Sequence, residues 1–142
     1  MIYDPAMPTG VVAGLVVEVN IHPGGDFIRL ATVDVGHNKV QIVFGGPDLV
    51  RAGDFVPVAL PGTRLPGRKK IRRTKFRGKT SHGMLCSAAE LGWEPDGPDE
   101  VALLKPDGLR PGTRLDNVEW PGLQADMRPG HLELRERWRR GR

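Results

Sequence analysis

Glycine and proline interrupt this chain so often that short extended segments joined by turns are its natural outcome. Nineteen Gly and thirteen Pro fall among 142 residues, and the longest apolar run, "VVAGLVV" at 11–17, ends after seven. Such a density of turn formers approaches that of low-complexity chains, yet Val, Ile, Leu and Phe recur in ordered runs between the breaks, so a turn-rich β protein is expected. The same run is far too short to span a bilayer as a helix, and "MIYDPAMPTG" lacks the basic and apolar regions of a signal peptide. A single cysteine cannot form an internal disulfide. The expectation is a cytoplasmic protein with no membrane contact.

The runs can be placed in order. "VVAGLVVEVN" reads as a first strand, and "HPGGD" at 22–26 as a turn. "FIRLATVDVG" and "KVQIVF" follow as a meander; in the latter Val40, Ile42 and Phe44 alternate with Lys39, Gln41 and Val43. "FVPVAL" reads as a fourth strand in which Pro57 predicts an edge position or an interrupted ladder. "PGTRLPGRKKIRRTKFRGK" reads as a long loop or ragged hairpin, and "HGMLCS" as a fifth strand. "SAAELGW" predicts a short helix, with Ser87 as N-cap, Glu90 as capping-box partner and Gly92 as the stop. Five short strands without long alternating helices predict an all-β, five-stranded barrel of the oligonucleotide-binding (OB) type, in which the loops after strands 1 and 4 and the face of strands 2 and 3 form the groove. The expected organisation is an N-terminal extension over 1–10, a domain over 11–120 and a basic tail over 121–142.

Charge is distributed unevenly along that framework. Residues 1–63 carry three basic and six acidic groups, for −3, whereas residues 64–79 carry nine basic groups and no acid. Residues 80–127 sum to −6, and 128–142 to +4 from six Arg and two Glu. A mildly acidic body with two basic segments is the pattern of a protein whose partner is a polyanion. The larger basic segment coincides with the loop after the fourth strand.

These segments resemble, in this order, the tRNA-binding domain found at the start of phenylalanyl-tRNA synthetase β chains, in small stand-alone bacterial tRNA-binding proteins and at the end of methionyl-tRNA synthetases. The resemblance runs from about Val11 to Leu115 and is carried by "HPGGD", "VDVG", "IVFGGPD", "VPVALPG" and above all "RGKTSHGMLCSAAELG"; "VALLKPDGLRPGTRL" is similar to the synthetase β chain in particular. It departs from the family at Gly25, Phe27, Ile28, Phe44 and Asp48. The resemblance implies an OB fold, tRNA as partner and a non-catalytic role. An aminoacyl-tRNA synthetase or a second copy of the chain is a further candidate partner, and a protein-docking module of such a complex is the alternative function.

"FRGKTSHGMLCS", residues 76–87, places His82 and Cys86 close together in sequence and so raises a nucleophile with its base. On one strand the two side chains would share a face but stand roughly 13 Å apart, too far for proton transfer, and no orienting acid is nearby. Cys86 is expected to be a small buried hydrophobe. One Cys and four scattered His match no zinc spacing, so neither metal nor cofactor is expected. "GTRLPGRK" has the glycine separation of a phosphate-binding loop but Arg68 and Lys69 where Lys and Ser/Thr belong, so it reads as a turn. The expected RNA-binding set is Arg68, Lys69, Lys70, Arg72, Arg73, Lys75, Arg77 and Lys79, which neutralise phosphates, beside a wall of Ser81, His82, Met84 and Ser87. With Phe27 and Phe76 among few aromatics near the groove, recognition by shape and backbone is expected over reading of a single strand.

Overall fold

The computed structural model of the chain describes residues 10–25, 27–46, 49–65, 67, 70–93, 100–115 and 140. Among the described residues seven strands form: β1 (Val11–Ile21), β2 (Ile28–Asp34), β3 (Lys39–Gly45), β4 (Phe55–Ala59), β5 (Thr74–Phe76), β6 (Lys79–Ser81) and β7 (Met84–Leu85). Five of them make one antiparallel sheet in the order β3-β2-β1-β4-β7, and β5 pairs with β6 alone. The sheet curls until β3 meets the segment that joins β6 to β7, where the His82 amide donates to the Gln41 carbonyl at 2.8 Å. The result is the nearly closed five-stranded barrel expected from the sequence, with a hairpin inserted before its last strand.

β1 is apolar at successive positions because both of its faces are covered over the first half. Val12 and Val16 face the barrel interior with Val33, Ile42, Val56, Val58 and Leu85. Val11 and Ala13 belong to a second core on the outside of the sheet, with Ala59, Leu65, Cys86, Leu91, Leu104 and Leu115. Between them Gly14 leaves room for two facing valines: a Cβ there would stand 2.5 Å from Val33 Cγ1 and 2.6 Å from Val58 Cγ2. Past Val16 the pairing with β2 shifts register, a bulge that turns Val17 to solvent and ends the double burial.

The outer core exists because residues 100–115 wrap back over the sheet. Gly112 N–H donates to the Ala13 carbonyl, and Ala13 N–H to that of Thr113, both at 2.8 Å. They occupy the edge of β1 that β2, which pairs only from Leu15 onward, leaves vacant. A similar substitution explains Pro57. It lies in β4 between β1 and β7 and so is not at an edge. Its carbonyl accepts from the Cys86 amide at 3.0 Å, while the Cys86 carbonyl, which would face the missing proline N–H, accepts from Ala102 N–H at 3.0 Å. The ladder is interrupted there and the wrapping segment takes up the freed group.

The short helix expected over "SAAELGW" is a single hydrogen-bonded turn. Its capping box is in place: Glu90 N–H donates to Ser87 Oγ at 3.0 Å and Ser87 N–H to Glu90 Oε1 at 2.9 Å. Leu91 N–H then reaches the Ser87 carbonyl, but Trp93 N–H already turns back to Ala88 and Gly92 N–H to Ala89. That pair of bonds around Gly92, at φ +78, is a Schellman stop, and start and stop signals so close together leave no space for a second turn. Among the described residues no helix is long and apolar enough to cross a membrane. The extension expected over 1–10 and the tail over 121–142 lie outside the described residues, save for Gly10 and Arg140.

Replacing Gly14 by Ala forces a methyl between Val33 and Val58 and is expected to destabilise the barrel by about 1–3 kcal/mol. Urea denaturation would measure it; a midpoint equal to that of the unsubstituted chain would mean that the barrel interior has slack at this layer.

Candidate nucleic-acid interface

The loop after β4 is held at intervals rather than free. Its first excursion returns on itself, with Gly62 N–H donating to the Ile71 carbonyl at 2.8 Å, Ile71 N–H to Thr63 at 2.7 Å, and an antiparallel bridge between Arg64 and Lys70. Leu65 is buried in the outer core and Ile71 packs against it, so apolar anchors stand between the cations. The second excursion is the β5–β6 hairpin, in register Thr74 to Ser81, Lys75 to Thr80 and Phe76 to Lys79. Its two-residue turn, Arg77 at φ 48 and Gly78 at φ 87, needs positive φ twice, which glycine accepts freely and arginine at some cost.

Strand alternation gives the hairpin two unlike faces. Thr74, Phe76 and Ser81 line a cleft of about 720 Å³ against the ends of β2 and β3, whose other walls include Ile28, Phe44, Ile71 and Met84 and whose mouth carries Lys70 and Arg72. Arg73, Lys75, Thr80 and His82 line a smaller depression on the other side. Lys70, Arg72, Arg73, Lys75, Arg77 and Lys79 are all exposed.

Both ends of the hairpin are fastened to the barrel by side chains. At its base Ser81 Oγ accepts from Val43 N–H and donates to the Gly83 carbonyl, each at 2.9 Å, while Gln41 Nε2 donates to the Thr80 carbonyl at 2.9 Å. Val43 lies on the side of β3 away from β2, so the Ser81 hydroxyl stands in for the missing strand. At the tip the buried His22 bridges turn and hairpin. Its Nδ1 accepts from Gly24 N–H at 2.7 Å, which leaves the proton on Nε2 to be donated to the Phe76 carbonyl at 3.1 Å. Arg77 donates to the Gly24 carbonyl and lies over the Phe76 ring, 5.6 Å from its centroid, and the His22 ring meets Phe76 edge-on at 6.2 Å. The loops after β1 and β4 are thereby joined beside the β2–β3 face.

Ten of the twelve expected site residues have a place in the structure. Lys70, Arg72, Arg73, Lys75, Arg77 and Lys79 are gathered on or beside the hairpin; Arg68 and Lys69 lie outside the described residues. Met84 lines the cleft and His82 the opposite depression. Ser81 is at the cleft but 92% buried by its closure role, being 8% exposed. Ser87 is 1% exposed and occupied by the cap, so it offers no group to a ligand. Cys86 is fully buried, its thiol 3.6 Å from the Met84 carbonyl, whereas His82 lies on the hairpin's far side. Among the described residues no group of three or more His, Cys, Asp or Glu could hold a metal. The sequence reading passed over His22, Gln41 and Phe44. A histidine directly before Pro-Gly-Gly was the available signal for the first; the others become visible only when the barrel closes.

A small, nearly closed barrel that sets a cationic ribbon and an apolar cleft beside its second and third strands defines an OB-type binding module. The chain belongs to the tRNA-binding domain family: the family model described as "Putative tRNA binding domain" matches residues 11–114. A phenylalanine-tRNA ligase beta subunit from Symbiobacterium thermophilum is 44% identical over 115 residues, covering 80% of this chain and 13% of that protein. The chain thus spans a small part of the curated relatives it matches. Two solved structures share the fold: the C-terminal domain of Plasmodium vivax p43, with TM-score 0.55 and 24% identity over 80% of this chain and 62% of that one, and a MetRS related protein from Pyrococcus horikoshii, with TM-score 0.51 and 21% identity over 80% and 97%.

His22→Ala removes partners from the Gly24 amide and the Phe76 carbonyl, an expected loss of about 1–3 kcal/mol. Hydrogen exchange at the Gly24 amide should accelerate while that of the β1–β4 ladder changes far less; an unaltered Gly24 rate would show that the tip is held by other contacts.

Proposed function

We propose that the chain binds tRNA as a non-catalytic, cytoplasmic module, in the groove between the β2–β3 face and the β5–β6 hairpin. The observation that carries this reading is the basic segment 64–79, with nine cations and no acid, whose β5–β6 hairpin is fastened to the barrel at both ends, within a chain of the tRNA-binding domain family. Like charges gathered this closely repel one another, and a phosphate backbone relieves the repulsion while releasing its condensed counterions. Arg68, Lys69, Lys70, Arg72, Arg73, Lys75, Arg77 and Lys79 supply phosphate contacts, His82 adds a polar contact beside Arg73 and Lys75, and Met84 offers apolar surface. Ser81 acts by holding the hairpin to β3, and Ser87 is left out as a helix cap.

A second reading has one observation in its favour. The relatives are subunits of a ligase of which this chain spans 13%, so the module can serve to dock on a synthetase, on another translation protein or on its own copy. Salt dependence separates the two. Changing Lys70, Arg72, Arg73 and Lys75 to Gln removes up to four phosphate contacts, and the slope of log affinity against log salt should flatten by up to about 3. All tRNAs should weaken alike, because phosphate contacts position without specifying. Filter binding over a salt series measures this; no tRNA binding by the unsubstituted chain near physiological salt would leave docking as its function.

A further inference from the structure

The cleft under the hairpin is chemically unlike the rest of the proposed interface. Its walls are apolar, with Phe44, Phe76, Met84, Ile28 and Ile71 all partly exposed to it, and Phe76 as a whole is 44% exposed. Among the described residues the charged side chains lining it are Lys70 and Arg72, both cationic. At about 720 Å³ the open cleft has room for a flat ring and its attached sugar. A phosphate backbone gains nothing from burying such walls, and a paired base cannot reach them because it is stacked within its helix. The ligand that satisfies both features has a flat apolar part joined to an anion.

We propose that this cleft receives an unpaired nucleobase of the bound RNA, stacked on Phe76 and flanked by Phe44 and Met84, with the adjoining phosphates held by Lys70 and Arg72 at the mouth. The proposal rests on the RNA-binding reading above and refines it: the preferred RNA carries a bulged, looped or terminal unpaired nucleotide, contrary to the recognition of shape alone expected from the sequence. Phe76 is prepared for this role. Arg77 lies over its ring, His22 meets it edge-on, and its backbone carbonyl is held by His22, so the ring is held in place before a base arrives. The site has little means of telling one base from another. Among the described residues the neutral polar side chains lining it are Thr74 and Ser81, and both hydroxyl protons are already donated, to the Arg72 and Gly83 carbonyls respectively. Stacking without edge readout tolerates any base.

The test compares two blunt-ended RNA duplexes of identical sequence, one fully paired and one with a single-nucleotide bulge, titrated with the 142-residue chain at fixed salt. The bulged RNA is expected to bind roughly tenfold more tightly, as one base–aromatic stack allows, and to do so whether the bulge is A, C, G or U. Phe76→Ala should abolish the preference while leaving the salt slope unchanged. As a second readout, 2-aminopurine placed at the bulge should lose fluorescence on binding the unsubstituted chain and keep it with Phe76→Ala. Equal affinity for the two duplexes with steep salt dependence overturns the cleft assignment and leaves RNA binding standing. Failure of both RNAs to bind overturns the two together. A strong preference for one bulged base also overturns the proposal, since stacking by itself does not distinguish the bases.

Discussion

The first half of β1 has apolar side chains on both faces, and a barrel can cover only one of them. That constraint organises the molecule. Val12 and Val16 are satisfied by closing the sheet on itself, but Val11 and Ala13 need a second layer, which the turn at 87–93 and the segment 100–115 provide through Leu91, Leu104 and Leu115. The outer layer in turn fixes Leu65 and Ile71, and so determines where the basic loop leaves and rejoins the barrel. A strand covered on one face only would have left that loop without an anchor.

The interface depends on the same scaffold through a small number of polar contacts. Cations at this density repel, and a free loop would spread them. Here Ser81, Gln41 and His22 hold the hairpin against the barrel, and strand alternation sorts its side chains so that Phe76 faces the cleft while Arg73 and Lys75 line the other side. The segment therefore presents an ordered arrangement of charge together with an apolar wall, which a disordered basic tail of equal charge could not do.

Much of this was legible in the chain before it was folded. Alternation in "KVQIVF", the turn at "HPGGD" and the Ser87–Glu90 spacing each follow from local chemistry, and the family resemblance put them in order. The charge map located the basic loop by composition alone. The hairpin within it was less accessible, because Thr74–Phe76 and Lys79–Ser81 are three residues each and carry no buried alternation to betray them. Pro57 presented two alternatives that only the position of Ala102 could resolve. The cleft was hidden for another reason: its walls come from β2, β3, β7 and both excursions of the loop, and no window of sequence contains them.

The bond from Gly112 to Ala13 joins positions about a hundred residues apart, and closing so long a loop carries an entropic cost that local contacts cannot defray. During synthesis the free edge of β1 and its outward valine stay uncovered until Leu115 has left the ribosome. Hairpins of neighbouring strands have the shorter loops to close, so β1 is expected to be among the last of the described strands to be sealed. An edge exposed for that interval is a surface on which two nascent chains can pair, so the speed with which the last part of the fold arrives bears on whether the protein stays a single chain at all.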